Sequence, residues 1–207
     1  MAGTTAKPKP SFDLDIELAL IDKTAKRQIR VGANITFERL HKIIQATYCW
    51  HECHMYQFLL FKEGKEGEPP SVEIVTDKET ASNPKAAKLV HRAKLLDYLN
   101  EYKHILYIYD FGDDWMHYID VTSYSEDCRD NLPLFLSGEN DAPPEDCGGP
   151  PGFMDFEEII KKPRHKEHKE MKSWAKDQGW ESYNFDETKL RVWMAGNPGK
   201  HVYVKRS

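Results

Sequence analysis

Near the start of the chain, Phe12, Leu14, Ile16, Leu18 and Leu20 alternate with Asp13, Asp15 and Glu17. Successive side chains of a strand point to opposite faces, so this alternation predicts a strand with one buried and one wet face. A chain holding such a strand must build a sheet and cover one side of it. Asp22-Lys23-Thr24-Ala25 turns the chain, and residues 28–31 return as a second strand. Thr36 follows as a helix N-cap, with Ile35 and Leu40 placed as a hydrophobic staple. Phe37, Leu40, Ile44, Thr47 and Tyr48 recur at helical spacing with Ile43 beside them, so a helix runs to about Cys49-Trp50.

Strands are expected at 55–61 and 71–76, flanking a Gly/Pro/Glu loop at 62–70. Pro84 opens a helical stretch to about residue 100. Residues 105–111 form a strand with Tyr107, Tyr109 and Phe111 on one face; 115–124 form the next, with Trp115, His117, Ile119 and Val121 on one face. Gly112-Asp113 makes the turn between them. Residues 125–152 read as a long loop. Phe153, Phe156, Ile159 and Ile160 mark a helix stopped at Pro163, followed by a polar helix over 165–176 and a short element over 186–194. This order excludes a regular βαβ series and predicts an α+β fold, a mostly antiparallel sheet packed with helices, compatible with a β-grasp-like N-terminal half. The expected layout is a disordered arm over 1–10, one domain over 11–195 and a flexible tail over 196–207.

The chain's 207 residues can bury a core without disulfide or metal staples. No apolar run reaches the length of a membrane span and the N-terminus lacks a hydrophobic signal core, so a cytoplasmic protein without membrane contact is expected. Cysteines 49, 53, 128 and 147 are too few and too irregular for a disulfide framework and are expected reduced. Net charge is −5, but between Asp110 and Asp146 eleven acids face one base, Arg129. Such a block suits a cation, a basic peptide or a basic protein, or simply a solvated face. Residues 161–172 carry six basic residues against Glu167 and Glu170. Those acids and the lack of interleaved aromatics make nucleic acid a disfavoured partner.

Two stretches concentrate chemistry. Tyr109-Asp110-Phe111-Gly112-Asp113-Asp114-Trp115-Met116-His117 is one, and Ala142-Pro143-Pro144-Glu145-Asp146-Cys147-Gly148-Gly149-Pro150-Pro151-Gly152 is the other. Tyr109, Asp110, Asp113, Trp115, His117, Glu145, Asp146 and Cys147 are the candidate binding residues of a cleft between them. Tyr56, Tyr107, Tyr118 and Phe153 would help Tyr109 and Trp115 to floor it, favouring a cationic ligand through cation–π and charge contacts. His54, Asp110, Asp113, His117 and Glu145 could instead hold a divalent metal, which with an open position would activate water for hydrolysis. The plainer roles are a core histidine for His117, Asx turns around Gly112 for Asp110 and Asp113, and amide capping for Glu145 and Asp146. Spacing in Cys49-Trp50-His51-Glu52-Cys53-His54 matches no standard zinc pattern. A nucleophilic Cys147 lacks an expected helix N-terminus to lower its pKa, and His165 and His168 read as solvated.

Several of these segments together resemble the plasmid open-reading-frame-three-like family, named after a root-inducing plasmid, some members of which are described as the TnpR passenger of a mycobacterial insertion element. The resemblance rests on residues 35–46 (Ile-Thr-Phe-Glu-Arg-Leu-His-Lys-Ile-Ile-Gln-Ala), Trp50 with His54, Met55 and Phe58, residues 107–117, Pro133, Gly138-Glu139 and residues 143–152. It covers about residues 12–190. It implies an α+β domain without an assigned activity, in the company of plasmids and mobile elements. Lys26, Cys49, Tyr56 and Phe135 depart from the family pattern of Trp, Gly, His and Cys. Recombinase chemistry is excluded, because the chain lacks the arginine cluster that stabilises a transferring phosphate around a Ser or Tyr nucleophile. The reading is a non-catalytic binding or accessory module, with a metal-dependent hydrolase and a nucleic-acid accessory protein as alternatives.

Overall fold

A computed structural model of the protein describes residues 7–62 and 68–200. In chain order come β1 (Lys9–Ala19), β2 (Thr24–Gly32), α1 (Phe37–Tyr48), β3 (Tyr56–Phe61), β4 (Val72–Val75), β5 (Lys88–Leu89), β6 (His104–Tyr109), β7 (Trp115–Cys128), β8 (Leu134–Glu139), α2 (Gly149–Lys161), α3 (His168–Asp177) and α4 (Phe185–Gly196). The strands form one sheet in the order β5-β4-β3-β6-β7-β1-β2-β8. All pairings are antiparallel except β4 with β5. The fold is therefore α+β. The β-grasp-like opening survives only as the order hairpin, helix, strand, because β3 pairs with β6 and β4 rather than with the hairpin.

The β1–β2 hairpin follows its alternation. Phe12, Leu14, Ile16 and Leu18 are fully buried. The outward residues pair across the strands: Arg30 grips Asp13 with Nε at 2.6 Å and Nη2 at 2.9 Å, and Lys26 reaches Glu17 at 2.9 Å. Helix α1 starts where Thr36 Oγ1 accepts from the Arg39 amide at 3.3 Å, and it ends at Cys49, held left-handed at φ 63°. It buries Phe37, Leu40, Ile43, Ile44 and Tyr48 against the sheet face formed by β1, β2, β3, β6 and β7. At about 25 cal/mol per Å² of apolar area, this covered face is the main favourable term in folding.

Several expectations are corrected. The helix expected from Pro84 to about 100 is a series of turns with β5 and one 3₁₀ turn, Leu95–Asp97. That segment passes from β4 to the link between β2 and α1, with Val90 bonded to Val75 and Leu95 and Leu96 bonded to Ile35 and Ala33. The long loop at 125–152 holds the end of β7, all of β8 and the start of α2. The loop reading failed because edge strand β8 is half-exposed, so its apolar pattern is weak. Phe111 leaves the strand face and lies exposed in the turn. Lys9 and Pro10 of the expected arm belong to β1, while residues 1–6 lie outside the described residues. So do 201–207 of the expected tail, and 63–67 of the expected loop. No described helix is long and apolar enough to cross a membrane.

Candidate functional site

The site grows from the end of the sheet where β6 passes into β7. Tyr107 and Tyr109 on β6 and Trp115 and His117 on β7 point inward and are all but fully buried. Trp50, just past α1, stacks on Tyr109 with ring centroids 5.1 Å apart and meets His117 edge-on at 87°. Trp50 Nε1 donates to the Pro143 carbonyl at 2.8 Å, and Trp180 Nε1 to the Ala142 carbonyl at 2.7 Å. Two indoles thus clamp the proline-rich segment to the sheet end. A buried indole needs such a partner, and a loop without regular hydrogen bonds supplies free carbonyls.

Glu145 is the buried acid of this junction. It accepts from the Tyr109 hydroxyl through Oε1 and from the His51 amide through Oε2 at 2.8 Å. The Cys53 amide donates back to the Tyr109 hydroxyl at 3.1 Å, and the Glu52 amide to Gln45 Oε1 at 3.1 Å. The chain from 50 to 54 is therefore laced both to β6 and to the 142–147 segment. Burial and the neighbouring Glu145 carboxylate push the Tyr109 phenol well above its ordinary pKa.

His117 has no access to a ligand. Its Nδ1 lies 3.1 Å from the Trp115 carbonyl and 3.3 Å from the Tyr107 carbonyl, so that nitrogen carries the proton, as assigned from the hydrogen-bond pattern. Nε2 has no hydrogen-bond partner among the described residues and is buried among Tyr48, Trp50 and Tyr107. Burial drives its pKa down to about 3, so the ring is neutral. The aromatic groove is corrected likewise. Tyr56, Tyr107, Tyr109, Trp115 and Phe153 are core residues, and Tyr118 lies exposed on the other face of the sheet.

At the surface, three residues from three segments converge. His54 Nε2 stands 3.1 Å from Asp146 Oδ1 and 3.7 Å from Asp110 Oδ2. One ligand atom from each of the three lies within 4.8 Å of the others. Asp110 divides its work: Oδ1 accepts from the Gly112 amide at 2.9 Å as an Asx turn, while Oδ2 faces His54. Both aspartates hold left-handed backbone, φ 57° at Asp110 and φ 58° at Asp146. The five expected metal ligands do not meet. His54 and Asp110 come together, whereas His117 is in the core, Glu145 is held by Tyr109 and His51, and Asp113 keeps a buried Oδ2 with no hydrogen-bond partner among the described residues. Asp146 completes the trio, and no local spacing could have signalled it, because positions 54, 110 and 146 meet only through the sheet.

Cys147 precedes Gly148, the N-cap of α2, so a helix N-terminus does follow it, contrary to expectation. Even so, burial and then the charge of Asp113 push the thiol up to about 12. The thiol is protonated and a poor nucleophile. Beyond it opens a cleft of about 520 Å³ between the 146–152 segment, α2 and α3. Asp146, Glu167 and Glu170 supply its charge, and Phe156, Met171 and Trp174 its apolar wall. The aromatic residues of this cleft come from the helices rather than from the hairpin. The basic run at 161–172 is partly neutralised, with Lys161 on Glu157, Lys162 on Glu158 and Lys166 on Glu167.

Comparison with known proteins agrees with this architecture. A Sinorhizobium fredii protein, the uncharacterized y4hQ, is 30% identical over 171 residues, 82% of each chain. The crystal structure of MM3350 from Methanosarcina mazei, a protein of unknown function, superposes with a TM-score of 0.68 at 29% identity, over 85% of this chain and 95% of that one. The family model described as plasmid pRiA4b ORF-3-like protein matches residues 10–190, and the chain belongs to that family.

Proposed function

We propose that the protein is a non-catalytic cation-binding module whose site is a divalent metal ion held by His54, Asp110 and Asp146. The convergence of these three side chains carries the reading. Metal–nitrogen and metal–oxygen bonds of about 2.0–2.2 Å place neighbouring ligand atoms roughly 3–3.6 Å apart. The 3.1 Å separation of His54 and Asp146 falls within that range, and the 3.7 Å of His54 and Asp110 lies just above it. One imidazole and two carboxylates suit zinc, manganese or iron. Behind the trio, Glu145, Tyr109 and Trp50 hold the segments that carry His54 and Asp146, which limits the ordering that ligation would cost.

Hydrolysis is the weaker reading. Three protein ligands leave room for a water, but a hydrolase also needs a free base beside it. Glu145, the nearby candidate, already has both oxygens engaged. An accessory role linked to plasmids or mobile elements is consistent with the family's name and is part of this proposal.

Titration calorimetry with Zn²⁺ and Mn²⁺ on tag-free protein, beside Asp110→Asn, tests the site. Asparagine preserves Oδ1 as the turn acceptor and removes the ligating charge. One equivalent of metal bound by the native protein, and weakened at least about tenfold in the variant, is the expected result. Absent binding, or equal binding by both proteins, would overturn the proposal.

A further inference from the structure

The cleft between α2 and α3 has a character separate from the metal site, although Asp146 borders both. Its wall is the indole of Trp174, the Met171 side chain and the edge of Phe156. Phe156 is itself almost fully buried and meets Trp174 edge-on at 67°, so the wall is fixed from behind. Glu167 stands at the N-cap position of α3 and Glu170 in its first turn, and both line the cleft. Glu167 is shared with Lys166 at 3.2 Å, whereas Glu170 has no ion pair among the described residues. A volume of about 520 Å³ is within the size of small-ligand pockets.

We infer that this cleft binds a lysine or arginine side chain of an extended basic peptide. The long alkyl stem of such a side chain lies against apolar surface while its charged end stays among polar groups. The wall of Trp174, Met171 and Phe156 matches the stem, and the indole face adds a cation–π contact. Glu170 and Glu167 match the charge, with Asp146 at the far rim. An acidic or neutral peptide would leave Glu170 without a counter-charge and gain only the apolar part. Glu170 needs no metal for this contact, so the inference stands apart from the metal proposal.

The test uses a fluorescein-labelled tetralysine peptide in fluorescence anisotropy, with chelator present and at about 0.15 M salt, where long-range attraction to the acidic block is screened. The same peptide with acetylated lysines is the uncharged probe. Glu170→Gln keeps the surface and removes the charge, and Trp174→Phe keeps a ring in the wall. Glu126→Gln removes an exposed acid of β7 away from the cleft. Saturable binding of tetralysine is expected, weakened about fivefold or more by Glu170→Gln and by acetylation, less by Trp174→Phe, and unchanged by Glu126→Gln. Asp110→Asn, which removes a metal ligand, leaves peptide binding intact, so failure of either site is visible separately. No saturable binding, or equal weakening by Glu126→Gln and Glu170→Gln, would overturn the inference, the second result marking general charge attraction.

Discussion

The Tyr109 hydroxyl donates to Glu145 Oε1, joining the last residue of β6 to a segment 36 positions later. The same carboxylate takes the His51 amide through its other oxygen, and the same hydroxyl accepts from the Cys53 amide. One phenol and one acid thus tie three segments together beneath His54 and Asp146. Tyr109→Phe leaves a buried carboxylate oxygen and the Cys53 amide without their partner. The expected cost is about 1–3 kcal/mol in urea unfolding, since an unsatisfied buried group loses its desolvation energy in full. Zn²⁺ affinity is expected to fall as well, because the frame behind two ligands loosens. A variant with native stability would show that the bond is dispensable.

Two histidines should make the protein sensitive to mild acid. Burial lowers the pKa of His41 and of His117 to about 3 from an ordinary 6.5, and both are neutral in the native state. Below about pH 6.5 the unfolded chain takes up protons that the native state refuses, so stability is full above that pH and is lost progressively toward pH 3. Each histidine contributes a loss of roughly 2 kcal/mol between pH 7 and pH 5. His41 stacks on Tyr56 and bonds the Tyr107 hydroxyl at 2.7 Å, where a glutamine can still hydrogen-bond. Urea midpoints of the native protein should fall steeply over this range, and those of His41→Gln by about half as much. Identical slopes would remove His41 from the account.

What could be read from the sequence was what local pattern encodes. The alternation from Phe12 to Leu18 and the Thr36-capped periodicity of α1 depend only on neighbours, and both hold in the structure. Pro84 promised a helix because proline tolerates a first turn, yet the following amides close short turns or bond to Val75, Ile35 and Ala33, long-range pairings that spacing does not reveal. His117 offered a core role and a ligand role with the same residue type, and only the burial of its strand face separates them. The trio of His54, Asp110 and Asp146 was legible as ligand-capable residues but not as a set. Trp174 and Met171 looked like ordinary helix residues until α2 and α3 placed them beside Asp146.

Cys49 ends α1 with φ 63°, a conformation in which a Cβ atom crowds the following carbonyl. Glycine carries no such penalty there, though it costs entropy in the unfolded chain. Cys49→Gly should therefore raise stability, by up to about 1 kcal/mol, while Cys49→Ala, which keeps the crowding, should not. Thermal midpoints of the two variants against the native protein decide the matter. A Cys49→Gly variant no more stable than Cys49→Ala would mean that the Cys49 side chain's packing near Gly179 outweighs its backbone strain.

Arg27 is a buried cation whose bonded partners are carbonyls rather than a carboxylate. Its Nε donates to Thr47 O at 3.0 Å, and Nη1 to Lys26 O at 2.7 Å, Glu139 O at 2.8 Å and Asn140 O at 3.1 Å. The guanidinium also lies 4.9 Å from the Tyr48 ring centre and 4.5 Å from that of Tyr183. Lysine keeps the charge but has no planar fork, so it cannot fill this set of acceptors and both stacking faces. Arg27→Lys is expected to cost about 2–4 kcal/mol in urea unfolding, because carbonyls of α1 and of the β8 end lose their donors. A loss below about 1 kcal/mol would assign the position to charge alone.

Cys147 should be the slow thiol of this protein. Burial first and Asp113 second hold it protonated up to about pH 12, although it directly precedes the N-cap of α2. At pH 8 its thiolate fraction is then about 10⁻⁴, and alkylation proceeds through the thiolate. Cys53 is exposed, so solvent reaches it freely, and its weaker upward shift comes from slight burial and the nearby Glu145 and Asp146 charges. Iodoacetamide labelling followed by peptide mass spectrometry should therefore modify Cys53 well before Cys147 at pH 8, with the gap narrowing as pH rises. Asp113→Asn should speed Cys147 labelling by removing the repelling charge. Cys147 reacting first in the native protein would contradict its burial, and would reopen the nucleophile role that the structure now argues against.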